Sequence, residues 1–190
     1  MRKAFFIILL FASTIAAAQN IQDTFYGFKL DNAIEDKTLS QTMESKYSIR
    51  MSFYSEYPIS VGTTNTFNFG GVKWDIANFV MFMPMKKFYA IELYLNDNQP
   101  NLVKDSFESL LESLTKKYGQ PIEKGQDTYQ WEGKNNVNVI LAIEEIEGAS
   151  TIAMSLNGRV ENGNKKKRLY LTYWSVNTEK RLKQFEADQL

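Results

Sequence analysis

The sequence predicts an α+β fold of two diverged repeats, each a helix followed by an antiparallel β-meander, with the helices packed on one sheet face. Three observations carry this prediction. Residues 101–118 hold an apolar stripe at helical spacing, the apolar residues after them recur with a period of two, and a similar order of helix end, tryptophan and strand occurs once earlier in the chain.

Taken in order, the chain opens with Arg2 and Lys3, an unbroken apolar run from Ala4 to Phe11, and the small residues Ala16-Ala17-Ala18. This is the pattern of a secretory signal peptide cleaved before Gln19. The run is too short for a membrane span, which needs about 20 apolar residues, and no later stretch comes close. With no cysteine in the chain, a lipid anchor of the lipoprotein type is excluded. Removing 18 of 190 residues leaves 172, expected to form a single α+β domain over 19–190, with pseudo-repeats at about 25–96 and 97–176 and a C-terminal helix at 177–190.

The first repeat is expected to begin with a weaker helix seeded near Asp31 to Asp36, turning Ile34, Leu39 and Met43 inward and ending at Glu44-Ser45-Lys46-Tyr47. A strand at Ile49 to Tyr54 and a loop from Ser55 to Asn65 follow. Trp74-Asp75 and Asn78-Phe79-Val80 then lead to a strand from Phe88 to Leu95, with Pro84-Met85-Lys86 as the hairpin loop. That arrangement places Phe79, Met81, Tyr89 and Ile91 on one face and Val80, Phe82, Phe88 and Ala90 on the other.

The second repeat has the clearer signals. Phe107, Leu110, Leu111, Leu114 and Tyr118 recur at i, i+3, i+4, i+7 and i+11, Gly119 suits a C-terminal cap, and Pro121 prevents continuation. A short strand is expected from Thr128 to Trp131. Val137, Val139, Leu141 and Ile143 then alternate, as do Ile152, Met154 and Leu156, and Leu169, Leu171 and Tyr173. With turns at Glu147-Gly148 and Asn162-Gly163, these three strands form a meander in which Ala142, Ala153 and Thr172 share one cross-strand row. The tail from Asn177 or Thr178 onward reads as a short helix with Leu182 and Phe185 as its apolar contacts.

Two units of helix plus meander, together with the Lys117-Tyr118-Gly119-Gln120-Pro121 helix end and a strand closing on Trp131, resemble the fold of the β-lactamase inhibitor protein and related exported bacterial proteins. The resemblance implies binding rather than catalysis. Members of that group commonly use disulfides, which this chain cannot form.

Composition narrows the chemistry. Loss of Arg2 and Lys3 with the leader leaves 20 basic residues against 22 acidic ones, a net charge of −2, which provides no long-range field for nucleic acid. The absence of histidine and cysteine removes Ser-His, Cys-His and zinc mechanisms. Carboxylate chemistry, a Ser-Lys pair or a hard cation held by oxygens remain. Glu92, Asp75 and Glu132 are the acids of interest, against the plainer reading of a solvent-side strand residue and two turn residues. The acids Glu144, Glu145 and Glu147 and the cations Lys165 to Arg168 read as solvated hairpin ends, and Gly70-Gly71 as a turn or bulge. No cofactor, metal site or catalytic residue is expected.

What remains is recognition. A sheet with two partly apolar faces must cover the second, by the tail helix or the other half, or offer it to a partner. Tyr170 and Trp174 lie on that face. The stretch Ser55 to Phe69 has no counterpart in the second repeat and joins aromatic residues to small polar ones, as adaptable recognition loops do. Tyr57, Phe67, Phe69, Tyr170 and Trp174 are therefore the expected binding residues of a non-enzymatic, periplasmic or secreted module for an envelope or extracellular protein or peptide. The alternatives are a carboxylate-dependent hydrolase acting on a glycan and a structural envelope protein without a ligand.

Overall fold

The computed structural model describes residues 19–65, 67–97, 101–146 and 166–189; the expected signal peptide, the strand expected at 151–156 and the expected turns at Glu147-Gly148 and Asn162-Gly163 lie outside them. The described chain is mixed α+β, with three helices and a mostly antiparallel set of strands.

The chain starts with a small hairpin of β1 (Thr24–Phe25) and β2 (Phe28–Lys29). Tyr26 and Gly27 form its two-residue turn, both at positive φ, 53° and 84°, the geometry that suits the twist of a hairpin. Asp31 to Ile34, expected to seed a helix, instead bind the main sheet: the Asp31 and Ile34 N–H groups donate to the carbonyls of Phe88 and Lys86. Tertiary hydrogen bonds thus displace the helix start, and α1 runs over Asp36–Tyr47, with Leu39 and Met43 fully buried. Ser48, at φ 55°, closes it: the N–H groups of Ser48 and Ile49 return to the carbonyls of Glu44 and Met43.

The expected loop after α1 is a hairpin of β3 (Ser52–Glu56) and β4 (Ile59–Thr64), joined by Tyr57-Pro58. A second small hairpin, β5 (Phe67–Phe69) and β6 (Val72–Trp74), turns at Gly70-Gly71, where both glycines have positive φ. Next come β7 (Ile76–Phe82) and β8 (Lys87–Asn96), joined by a 3-10 turn at Met83–Met85 closed by Lys86, one residue longer than the expected loop Pro84-Met85-Lys86. One register shift between Val80 and Met81 changes the faces: Met81 lies opposite Phe88, not Tyr89. The bulge moves Phe88 into the core, stacked on Phe79 at 5.9 Å, and leaves Tyr89 half-buried.

Helix α2 (Leu102–Tyr118) buries Val103, Phe107, Leu110, Leu114 and Tyr118, while Leu111 at the stripe's margin is only half-buried. Its closing Gly119 has φ 88°, and the Gly119 carbonyl accepts the Trp131 indole N–H at 2.8 Å, tying helix end to strand. The short β9 (Ile122–Gly125) then precedes β10 (Thr128–Glu132), β11 (Val137–Ile146) and β12 (Lys166–Ser175).

The order across the eight-stranded sheet is β3-β4-β7-β8-β12-β11-β10-β9. Strand β12 lies between β11 and β8, so neither of its edges is open to residues 152–156 and the expected row Ala142–Ala153–Thr172 does not form. Ala142 faces Tyr170 and Thr172 faces Ile140. The face assignment survives this change of partner, because Ile143, Leu141 and Val139 meet Leu169, Leu171 and Tyr173. Apolar residues still face apolar residues.

Stripes of α1 and α2 share one core with the inward residues of β7, β8, β11 and β12. The opposite face carries Val80, Phe82, Tyr94, Tyr170 and Trp174. Helix α3 (Val176–Ala187) covers part of it, placing the Phe185 ring 5.8 Å from Phe82 and 5.5 Å from Tyr57. Its N-cap is Ser175, two or three residues before the expected caps, and the Ser175 hydroxyl accepts from the Thr178 N–H at 3.1 Å. Thr178 is fully buried and donates to Asp31 Oδ1 at 2.8 Å, which ties the tail to the start of the domain.

Candidate functional site

The five residues expected to bind do not form one surface. Phe67 is 1% exposed, wedged between Tyr26 and Phe79 at ring distances of 4.9 and 5.8 Å. Its inward position on β5 assigns it to the core, and its ring is not a contact for a partner. Phe69 is half-buried and packs its ring on Phe25 and Tyr173, at 5.6 and 5.8 Å. The alternation Phe-Asn-Phe belongs to a strand, and it is the intervening Asn68 that turns outward. Tyr57 is 66% exposed in the β3–β4 turn, with its ring edge on Phe185. Tyr170 and Trp174 are half-buried on the sheet face away from the core, with the Trp174 indole donating to Glu179 of α3 at 2.8 Å.

That face is hydrogen-bonded within itself. Thr63, Asn78, Glu92 and Thr172 lie in one cross-strand row. The Thr63 hydroxyl donates to Asn78 Oδ1 at 2.9 Å, and Glu92 Oε2 accepts from Asn78 Nδ2 at 3.3 Å and from the Tyr94 hydroxyl at 3.0 Å. Burial, reinforced by Glu92, holds the Tyr94 phenol far above its usual range. Arg168 pairs with Glu144 and lies 4.6 Å from the Tyr94 ring centroid, so this cation is engaged within the sheet. Asp75 Oδ2 accepts the Asn96 N–H at 2.9 Å at the entry to β7, and Glu132 Oε1 accepts from Gln130. Both acids sit at strand ends. No group of three or more acids positioned to hold a metal ion occurs among the described residues.

A deep concavity lies elsewhere, at the C-terminal end of α1. It is a cleft of about 930 Å³ built from three separate segments. The β1–β2 turn provides Tyr26; the exit of α1 provides Tyr47, Ser48, Ile49, Arg50, Met51 and Ser52; the end of β4 and the start of β5 provide Thr63, Thr64, Asn65 and Asn68. The geometry follows from local structure already described. The two-residue hairpin holds Tyr26 at positive φ, and the left-handed closure at Ser48 reverses the chain so that residues 49–52 run back beside β4.

Tyr26 is the centre of this wall. Its ring meets Tyr47 edge-on at 4.6 Å and 83°, leans on Phe67, and donates its hydroxyl to the Asn68 carbonyl at 3.3 Å. Burial, and secondarily Tyr47, raises the Tyr26 phenol above its usual range, so it is a neutral donor at neutral pH. Among the described residues the lining includes hydroxyls, amides and one cation, Arg50, but no carboxylate. Such a set can stack and hydrogen-bond a ligand. It offers no general base or acid pair for hydrolysis.

The stretch Ser55 to Phe69 contributes to this wall through side chains other than those expected to bind. Thr63, Thr64, Asn65 and Asn68 line it, while Phe67 and Phe69 go inward. Tyr26 and Tyr47 carried one usable signal, a Tyr-Gly dipeptide and a tyrosine ending a helix, yet nothing local brings the two together. No family model matches this chain, and no curated protein or solved structure matches it.

Proposed function

We propose that this chain is an exported, non-enzymatic binding module that takes a segment of a protein or peptide partner in the cleft walled by Tyr26 and Tyr47. The single observation that carries the reading is the composition of that cleft: two adjoining tyrosine rings and a rim of Ser, Thr and Asn side chains, without a carboxylate. Tyrosine offers a large contact area at a low cost in side-chain entropy, and short polar side chains supply adaptable hydrogen bonds, the combination that recognition surfaces favour. The absence of histidine and cysteine from the whole chain supports the same choice over catalysis. Export rests on the charged start, apolar run and small residues of Met1–Ala18.

The reading of two diverged repeats belongs to the same proposal. Each half consists of a helix and four main-sheet strands in meander order, β3, β4, β7, β8 after α1 and β9, β10, β11, β12 after α2, and the last strand of one half pairs with the last of the other. The resemblance to the β-lactamase inhibitor protein rests on this order. In that reading the β5–β6 hairpin is an addition to the first unit, and its Asn68 is part of the cleft rim.

The experiment is site-specific photocrosslinking. A photoreactive phenylalanine analogue replaces Tyr47 in one sample and Ile122, on the far edge of the sheet, in another, and each mature protein is irradiated in the envelope fraction of its source cells. Adducts on one peptide from position 47, suppressed by unlabelled protein but not by its Tyr26→Ala variant, support the reading. Equal adducts from both positions, or none from 47, refute it.

A further inference from the structure

We propose that a second copy of this chain pairs with the edge of β3, which no described strand covers, strand against strand and antiparallel, joining the two eight-stranded sheets into one continuous sheet. The inference does not depend on any ligand of the cleft. It starts from an asymmetry between the two edges of the sheet. An edge strand presents unpaired N–H and C=O groups, and proteins that stay monomeric blunt such edges with prolines, charges, bulges or short length. The β9 edge has these features: Pro121 precedes it, Glu123 and Lys124 lie on it, it is four residues long, and its ladder is broken by a register shift between Thr128 and Tyr129. The β3 edge is less blunted, with Glu56 as the one charge on the strand. Ser52–Glu56 contains no proline, lysine or glycine, its ladder with β4 is unbroken, and every residue of it is exposed.

The same edge displays apolar surface. Phe53 is 36% exposed and Tyr54 63% exposed, the latter among the most exposed large hydrophobic side chains described. Gly62 opposite Phe53 lets Met51 and the Phe53 ring lie flat on β4, since a Cβ there would come within 2.7 Å of Met51 Cε and 2.8 Å of the Phe53 ring. The result is a flat, regular edge.

Charge selects the occupant and the register. In an antiparallel pair related by a two-fold axis normal to the sheet, directly opposed residues point to the same face, so the pairing must be centred on a residue. Centring on Phe53 sets Ser52 against Tyr54 and Arg50 against Glu56 of the other copy, twice by symmetry. Arg50 is almost fully exposed, 92% at its side chain, with only a loose contact of 3.9 Å to Glu44. Glu56 uses Oε2 to accept the Tyr54 hydroxyl at 2.6 Å. The alternation of half-buried Ile49 and Met51 with exposed Arg50 extends the strand pattern back to the residue that the register requires. The edge is therefore complementary to itself, the property that an isologous contact needs. Because Arg50, Met51 and Ser52 also line the cleft, pairing places Tyr54 of each copy at the rim of the other's cleft.

The test uses the mature chain without ligand. Analytical ultracentrifugation over a concentration series should show a reversible dimer, with Arg50→Glu or Glu56→Arg alone weakening association by about tenfold or more and the double variant restoring it. The native chain has no cysteine, so a single Phe53→Cys gives an unambiguous second readout. Mild oxidation should link it across the axis, while Ile122→Cys on the other edge should stay unlinked. A monomer at all concentrations, a dimer indifferent to both single charge reversals, or a double reversal that fails to restore association in a protein with native circular dichroism would overturn the proposal. So would crosslinking at position 122 instead of 53.

Discussion

The Tyr26 ring stands edge-on against the Tyr47 ring, 4.6 Å between centroids at 83°, although one belongs to a hairpin turn and the other to the end of a helix. Tyr26 holds its place at positive φ, where Asn is better tolerated and where Asn-Gly is the favoured turn pair. Tyr26→Asn therefore removes an aromatic pair worth about 0.5–1.5 kcal/mol while relieving the backbone. Net stability by urea denaturation should change by less than about 1 kcal/mol. Crosslinking from position 47 should fall sharply in the same variant. A loss of stability near that of a core truncation would mean that Tyr26 is structural.

Tyrosine titration should be delayed. Burial, with smaller contributions from Glu179, Glu92 and Glu186, pushes the Tyr89 phenol up to about 12, and Tyr94, Tyr170 and the almost fully buried Tyr173 shift the same way. In the unfolded chain these phenols ionise near 10, so between pH 10 and about 12 the native state holds more protons than the unfolded state. Stability is thus at its full value below pH 10 and declines as the pH rises through this window. Absorbance at the phenolate band should show a late group of tyrosines that merges with the early group in denaturant; a single transition near 10 in the native protein would contradict the burial.

Within α2 the stripe is uneven. Leu114 is 5% exposed and Leu111 only half-buried at the margin. Leu114→Ala should cost about 2–5 kcal/mol, as a core cavity does, and Leu111→Ala about 1–2 kcal/mol in proportion to the smaller area withdrawn from water. Equal losses at the two sites in denaturant titrations would place them on the same footing and rotate the helix relative to the sheet.

The tail helix is fastened at its start by the Thr178 hydroxyl on Asp31 and near its end by Phe185 against Phe82. Thr178→Ala leaves the Asp31 carboxylate without one donor and should cost about 1–3 kcal/mol. Phe185→Ala should uncover Phe82 and speed proteolysis within residues 176–189 more than it lowers the melting temperature. Cleavage that is unchanged in the Phe185 variant would show that the helix is held by other contacts.

Much of the fold was legible because its signals are local. The stripe of α2, its Gly119 and Pro121 ending, the Met83–Met85 hairpin and the inward sets Val139, Leu141, Ile143 and Leu169, Leu171, Tyr173 all follow from spacing, and each kept its face in the folded chain. Residues 49–54 and 128–131 likewise read as strands, and the tail as a helix.

Spacing could not choose neighbours. An alternating apolar strand fits beside any other alternating strand, so the inward residues of β12 were as compatible with 152–156 as with β11 and β8. Only closure of the whole sheet, in which β12 occupies the centre with both edges filled, decides between them. The same applies to the bulge that exchanges Phe88 and Tyr89, which is set by how β7 and β8 twist against the core. It applies also to the cleft. Phe67 and Phe69 have the composition of contacts, but they turn inward onto Phe79 and onto Phe25 and Tyr173, because burying an aromatic ring yields more than exposing it. The residues left to line the concavity, Tyr26, Tyr47, Arg50 and the polar side chains of Thr63, Thr64, Asn65 and Asn68, come from segments far apart in the chain. The sequence by itself determined the inward set of each regular element, since that depends on period alone; the tertiary structure decided which of those residues meet and where a bulge exchanges them, since that depends on the single arrangement that fills the core.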